Sequence, residues 1–113
     1  MSSPRGRRWE AFVRSVIEYY GGICHICSHG GARQVDHLEP QTENPGAAGN
    51  FALCRPAHGA PGNPCPQCSA AAGGKKIFCN QLRGMGSVER ARRIIAERIT
   101  EHAAPARDPG RPW

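Results

Sequence analysis

The 113-residue sequence predicts a small α+β fold. Amphipathic helical patterns lie near both ends of the chain, and two short runs suited to β-strands lie between them. Hydrophobic residues make up only 39% of the chain, which also holds 14 glycines and 10 prolines. A core this thin needs a further source of stability, and the six cysteines provide a candidate. We expect one domain over residues 1–102, followed by a disordered tail over residues 103–113.

The N-terminal half contains the first helix and both strands. Residues 7–20 predict an amphipathic helix, with Gly21-Gly22 ending it. A short strand is expected over residues 33–37 and a second over residues 50–54, with a surface loop over residues 39–49 between them. The apolar stripe of the helix is expected to face the core and consists of Trp9, Phe12, Val13, Val16 and Tyr20.

The C-terminal half is expected to be less regular. Residues 55–74 predict a long irregular loop, and a short helix is expected from Cys79 to Gly84. A final helix is expected over residues 88–102, with Ser87 as its N-cap. Its buried stripe would consist of Val88, Ala91, Ile95 and Ile99.

The cysteines are arranged as metal ligands. Cys24-x2-Cys27 and Cys65-x2-Cys68 each have the spacing of half a tetrahedral zinc site. Three disulfides are the alternative. The N-terminus has no hydrophobic signal-peptide core, and no apolar run is long enough to cross a bilayer, so we expect a reducing, cytoplasmic compartment. Structural Zn²⁺ is therefore favoured over disulfides.

The charge of the chain favours a polyanionic partner. The formal net charge is +6 and the pI is about 9.4. Such a balance is typical of proteins that contact phosphates, DNA among them. The candidate nucleic-acid-binding residues are Arg7, Arg8, Lys75, Lys76 and Arg83.

Four motifs occur in the order found in a known enzyme family. They are Cys24-x2-Cys27, Val35-Asp36-His37-Leu38-x-Pro40, Asn50-Phe51 and Cys79-Asn80-x2-Arg83-Gly84. This set, which covers residues 9 to about 84, resembles the HNH (ββα-metal) endonucleases, most closely the small zinc-containing proteins of actinobacterial phages and their hosts. The resemblance implies a ββα-metal core, a two-stranded hairpin followed by a helix, with a zinc knuckle and flanking N- and C-terminal helices.

The resemblance also implies catalytic roles for four residues. His37 would be the general base, since imidazole is mostly neutral at physiological pH. Asp36 and Asn80 would bind the catalytic Mg²⁺ or Mn²⁺, which prefer oxygen ligands. Asn50 would orient the base. Because side chains of neighbouring strand residues point to opposite faces, Asp36 and His37 can meet in one site only at a strand end or bulge.

Two ligand sets remain open for the structural zinc. Paired knuckles favour Cys24, Cys27, Cys65 and Cys68. Registry with the family favours Cys24, Cys27, His58 and Cys79. We expect Cys54 to be a buried apolar residue, and His25 and His29 to be exposed residues of the knuckle.

The implied function is metal-dependent hydrolysis of DNA phosphodiester bonds, by nicking or weakly specific cleavage. No separate sequence-reading domain is evident, so contacts would be mainly to the DNA backbone. The resemblance allows a role beside phage terminase subunits in DNA packaging, and a homodimer would allow both strands to be cut. The alternative is a noncatalytic zinc module that binds DNA or a protein.

Overall fold

The fold is seen in a computed structural model, which describes residues 4–39 and 49–103. These residues form a small α+β structure with one two-stranded sheet and four α-helices. In chain order the elements are α1 (Pro4–Tyr19), β1 (Gln34–His37), β2 (Cys54–Ala57), α2 (Pro66–Ala71), α3 (Cys79–Arg83) and α4 (Val88–Ala103). Within the described residues, no helix is long and apolar enough to span a membrane.

Helix α1 packs against the hairpin through an apolar and aromatic face. Val16 is fully buried, whereas Trp9 is 40% exposed. Phe12 contacts both the Trp9 ring and the Phe51 ring. The predicted stripe therefore faces the rest of the molecule, but its N-terminal end stays open to solvent. Gly21 and Gly22, with φ of 66° and 70°, turn the chain away after the helix.

Strands β1 and β2 form an antiparallel hairpin in regular register. Asp36 pairs with Arg55 and His37 pairs with Cys54. The prediction of a second strand over residues 50–54 was wrong, because that strand begins only at Cys54. Asn50 accepts a hydrogen bond from the Ala52 N–H at 3.1 Å and caps a short 3₁₀ helix over Phe51–Leu53. Capping by the asparagine side chain competes with strand pairing, so the strand begins only after the 3₁₀ helix.

Helix α2 lies within residues 55–74, which the sequence predicted to be irregular throughout. Pro66 occupies its first turn, where a missing N–H costs nothing. The Cys65 sulfur accepts a hydrogen bond from the Cys68 N–H at 3.3 Å and acts as the N-cap. The Cys-Pro-x-Cys sequence is therefore a helix start as well as a candidate ligand pair.

Helices α3 and α4 agree with the predictions. The Ser87 hydroxyl accepts a hydrogen bond from the Arg90 N–H at 3.1 Å, which confirms Ser87 as the N-cap of α4. Ala91 and Ile95 are buried, and Val88 and Ile99 pack partly buried against the same core. The predicted loop over residues 39–49 and the predicted tail lie largely outside the described residues.

The core lies between the segment after α1 and helices α2, α3 and α4. Its apolar members include Ile26, Ile77 and Ile95. Four cysteines of the same core are at most 2% exposed: Cys24, Cys65, Cys68 and Cys79. The candidate metal ligands are thus at the centre of the fold.

Candidate functional site

Backbone hydrogen bonds close the first knuckle, which is the loop over residues 24–29. The Ser28 N–H donates to the Cys24 carbonyl, and the Cys24 N–H donates to the His29 carbonyl, each at 2.9 Å. Ser28 adopts a positive φ of 67°, which completes the turn. This compact loop places Cys24, Cys27 and His29 close to the ligands that arrive from later in the chain.

A first metal-ligand group consists of Cys24, Cys27, His58 and Cys79, whose ligand atoms all lie within 4.8 Å of one another. His58 follows β2 directly, and Cys79 is the first residue of α3. The Nδ1 atom of His58 lies 3.4 Å from the Cys27 sulfur and 3.7 Å from the Cys79 sulfur. The His58 Nε2 atom lies 2.8 Å from the Gly30 carbonyl. Because a carbonyl only accepts, Nε2 carries the hydrogen and the Nδ1 lone pair points to the sulfurs.

A second group consists of Cys27, His29, Cys65 and Cys68, also within 4.8 Å of one another. The His29 Nδ1 atom lies 3.4 Å from both the Cys65 and the Cys68 sulfurs. The Cys27 sulfur lies 3.8 Å from the Cys65 sulfur. The second knuckle thus meets the first knuckle through Cys27 and His29.

The spacing of these atoms fits tetrahedral zinc. Zn–S bonds of about 2.3 Å and Zn–N bonds of about 2.0–2.1 Å place two sulfurs about 3.8 Å apart, and sulfur and nitrogen about 3.5 Å apart. In the two groups the sulfur–nitrogen spacings are 3.4 to 3.7 Å, and the Cys27–Cys65 sulfur–sulfur spacing is 3.8 Å. These distances are close to those of a zinc tetrahedron. All six cysteines are free thiols. The described residues therefore provide a Cys/His cluster compatible with a structural metal such as zinc.

Neighbouring thiols of the cluster shift one another's pKa values in opposite directions. Contact with the Cys24 thiolate raises the pKa of Cys27, while the hydrogen bond from Cys27 lowers the pKa of Cys24. Burial raises the pKa of Cys68 to about 11. A buried group of thiolates requires a compensating positive charge, and a bound cation supplies it as the protons leave.

Of the two zinc ligand sets predicted from the sequence, one is found complete and the other is divided. Cys24, Cys27, His58 and Cys79, the set predicted by registry with the family, coincide with the first group. The paired-thiolate set is divided, because Cys65 and Cys68 belong to the second group. His29 was predicted to be an exposed knuckle residue, but it is partly buried against those two sulfurs. The sequence signal for His29 as a ligand was its position two residues after Cys27.

Asp36 lies in a buried polar network on the α3 side of the hairpin. It is 6% exposed, and its Oδ2 atom accepts hydrogen bonds at 2.7 Å from Arg83 Nη1 and from His25 Nε2. Arg83 also donates to the His37 carbonyl at 2.8 Å and to the Leu38 carbonyl at 3.1 Å. Arg83 is itself only 8% exposed. Its guanidinium, predicted to contact DNA, joins α3 to the end of β1.

His37 lies on the other face of the hairpin. Its ring stacks on Trp9 of α1 with centroids 6.1 Å apart. The regular register of β1 shows no bulge at Asp36–His37, so these two side chains alternate between faces. Asn80 lies on α3 three residues before Arg83, and its N–H donates to the His58 carbonyl at 2.9 Å. Asp36 therefore faces α3, the helix that carries Asn80, whereas His37 faces α1.

The remaining predicted residues lie on the surface. Asn50 is exposed and caps the 3₁₀ helix. Arg7 and Arg8 are exposed on α1. Lys75 and Lys76 are exposed between α2 and α3. These four cations are accessible to a polyanion.

Comparisons of the chain with family models, with curated proteins and with solved structures found no match.

Proposed function

We propose that this protein is a divalent-metal-dependent HNH endonuclease with a ββα-metal core, which hydrolyses DNA phosphodiester bonds. One observation carries the proposal: Arg83 binds Asp36 and the backbone of His37 and Leu38. Residues separated by more than forty positions, in the order of the nuclease motifs, therefore meet at the end of one hairpin.

The first metal-ligand group lies next to this network and connects the same elements. Cys79, a ligand of the first group, starts the same short helix that carries Asn80 and Arg83. The Asn80 N–H donates to the His58 carbonyl at 2.9 Å, which joins α3 to the end of β2. A metal held by Cys79 and His58 would therefore fix α3 against the hairpin. In this proposal zinc is structural and lies outside the chemistry.

Asp36 and Asn80 have the donor chemistry for a catalytic cation, since both carry side-chain oxygens, the ligands that Mg²⁺ and Mn²⁺ prefer. When bound, Mg²⁺ or Mn²⁺ supplies positive charge to the scissile phosphate and the leaving oxygen. His37, the last residue of β1, accepts the proton of the attacking water, which requires its ring to leave Trp9 and turn toward the side of Asp36. Arg7, Arg8 and the two lysines hold the DNA backbone without reading its sequence. Arg83 positions Asp36.

A second function, a noncatalytic zinc module that binds nucleic acid, is favoured by a specific observation. The Asp36 carboxylate already binds Arg83 and His25, and the His37 ring lies against Trp9 on the opposite face. A module of this kind needs only the metal cluster and the exposed cations.

A plasmid-nicking assay on zinc-loaded protein separates the two functions. Supercoiled DNA is incubated with the protein in zinc alone and with added Mg²⁺ or Mn²⁺, and binding is followed in parallel by a mobility shift. The proposal predicts nicked circles only with the added cation. Full binding with no cleavage at any cation concentration would replace it with the noncatalytic module.

A further inference from the structure

We infer that the protein binds two zinc ions in one binuclear centre, with the Cys27 thiolate bridging them. The inference does not depend on the proposed nuclease activity. The two ligand groups together contain seven side chains and share only Cys27. Two tetrahedral ions need eight ligand positions, and seven side chains fill them when one thiolate binds both ions.

The position of Cys27 suits a bridge. Its sulfur lies 3.4 Å from the His58 Nδ1 atom of the first group and 3.8 Å from the Cys65 sulfur of the second. Both spacings match the edge of a zinc tetrahedron, about 3.5 Å for sulfur with nitrogen and about 3.8 Å for two sulfurs. One sulfur is therefore at ligand distance from partners in both groups without any movement of the backbone.

The other ligands of each group are held by hydrogen bonds that do not involve the other group. In the first group, the Gly30 carbonyl fixes His58 so that its Nδ1 lone pair faces Cys27 and Cys79. In the second group, the Cys68 N–H donates to the Cys65 sulfur at 3.3 Å, a bond that stabilises a thiolate. Each group is thus a set of four prepared ligands.

The charge of the fully ionised cluster also fits two cations better than one. The two groups contain five cysteines: Cys24, Cys27, Cys65, Cys68 and Cys79. If all five ionise, one Zn²⁺ leaves a net charge of −3 and two Zn²⁺ leave −1. Four of these cysteines are at most 2% exposed, so the extra negative charge would be desolvated. A second ion neutralises it.

The stoichiometry is tested by native mass spectrometry of the purified chain after dialysis against metal-free buffer. We expect a mass corresponding to about two zinc ions per chain. Cys68→Ser should lower the ratio to about one, because it removes a ligand of the second group only. Cys54→Ser, at a buried cysteine outside both groups, is the matched control and should keep both ions. A wild-type ratio of one would overturn the inference.

The bridge is tested by ¹¹³Cd NMR of the cadmium-substituted wild-type protein. Two metals that share the Cys27 sulfur should give two resonances, each split by scalar coupling to the other through that atom. Two unsplit resonances would mean separate sites, and a single resonance would mean one site, and either result would overturn the bridge. This measurement uses the wild-type chain, so it decides the question even if Cys68→Ser fails to fold.

Discussion

Replacing Arg83 with methionine should destabilise the protein by about 3 kcal/mol, because the change leaves a buried carboxylate without its main partner. Arg83 makes three hydrogen bonds, of 2.7, 2.8 and 3.1 Å, to Asp36 and to the carbonyls of His37 and Leu38. Breaking one side of a buried ion pair costs about 3–5 kcal/mol. His25 still donates to Asp36, and the two carbonyls belong to half-buried residues that water can reach, so the lower end applies.

The free energy of unfolding is measured by urea titration followed by circular dichroism at a fixed concentration of free zinc. Arg98→Met, at an exposed position on α4, is the matched control and should change the free energy by less than about 0.5 kcal/mol. The double variant Arg83→Met with Asp36→Asn should be more stable than Arg83→Met alone, since it carries no unpaired buried charge. A loss below about 1 kcal/mol for Arg83→Met would mean that the Arg83–Asp36 pair behaves as an exposed ion pair and not as a buried one.

Three further predictions concern the metals and the DNA. Chelation of zinc should unfold the chain, and Cys24→Ser should do the same, because structural zinc contributes about 10–16 kcal/mol in small zinc-finger peptides. An apo-protein that stays folded and unfolds cooperatively by circular dichroism would contradict this. Asn80→Ala should weaken the binding of the catalytic cation, so that a higher concentration of Mg²⁺ or Mn²⁺ partly restores nicking. If nicking does not respond to the cation concentration, Asn80 is not a ligand of that cation. Arg7→Gln and Arg8→Gln should each lower the slope of log binding constant against log salt by about 1, whereas Arg98→Gln should leave it unchanged, as measured by fluorescence anisotropy.

The helical patterns of α1 and α4 were predictable because they depend on local periodicity, whereas the short helix α2 was missed. The stripe of α4 and the Ser87 cap follow from the sequence alone and are seen in the structure. The second strand was misplaced because residues 50–54 are apolar enough for a strand. Their hydrogen bonds are instead set by the Asn50 cap.

The composition of the metal cluster could be predicted only in part. Spacing identifies Cys24 with Cys27 and Cys65 with Cys68 as pairs, but it does not state which pairs meet in space. His29 and the sharing of Cys27 between two groups depend on how the two knuckles pack. The partners of Asp36 were equally hidden, because His25 lies 11 positions and Arg83 lies 47 positions away in the chain.

The nuclease proposal is tested most sharply by the plasmid-nicking rate of His37→Ala in saturating Mg²⁺ or Mn²⁺. His37 belongs to neither metal-ligand group, so the variant should stay folded, retain its zinc and bind DNA as tightly as wild type. We expect a rate lower by about 10²–10⁴-fold, the usual contribution of a general base, with no rescue by further cation. His102→Ala, an exposed histidine on α4, is the matched control and should cleave at the wild-type rate. Near wild-type cleavage by His37→Ala would contradict the proposed mechanism.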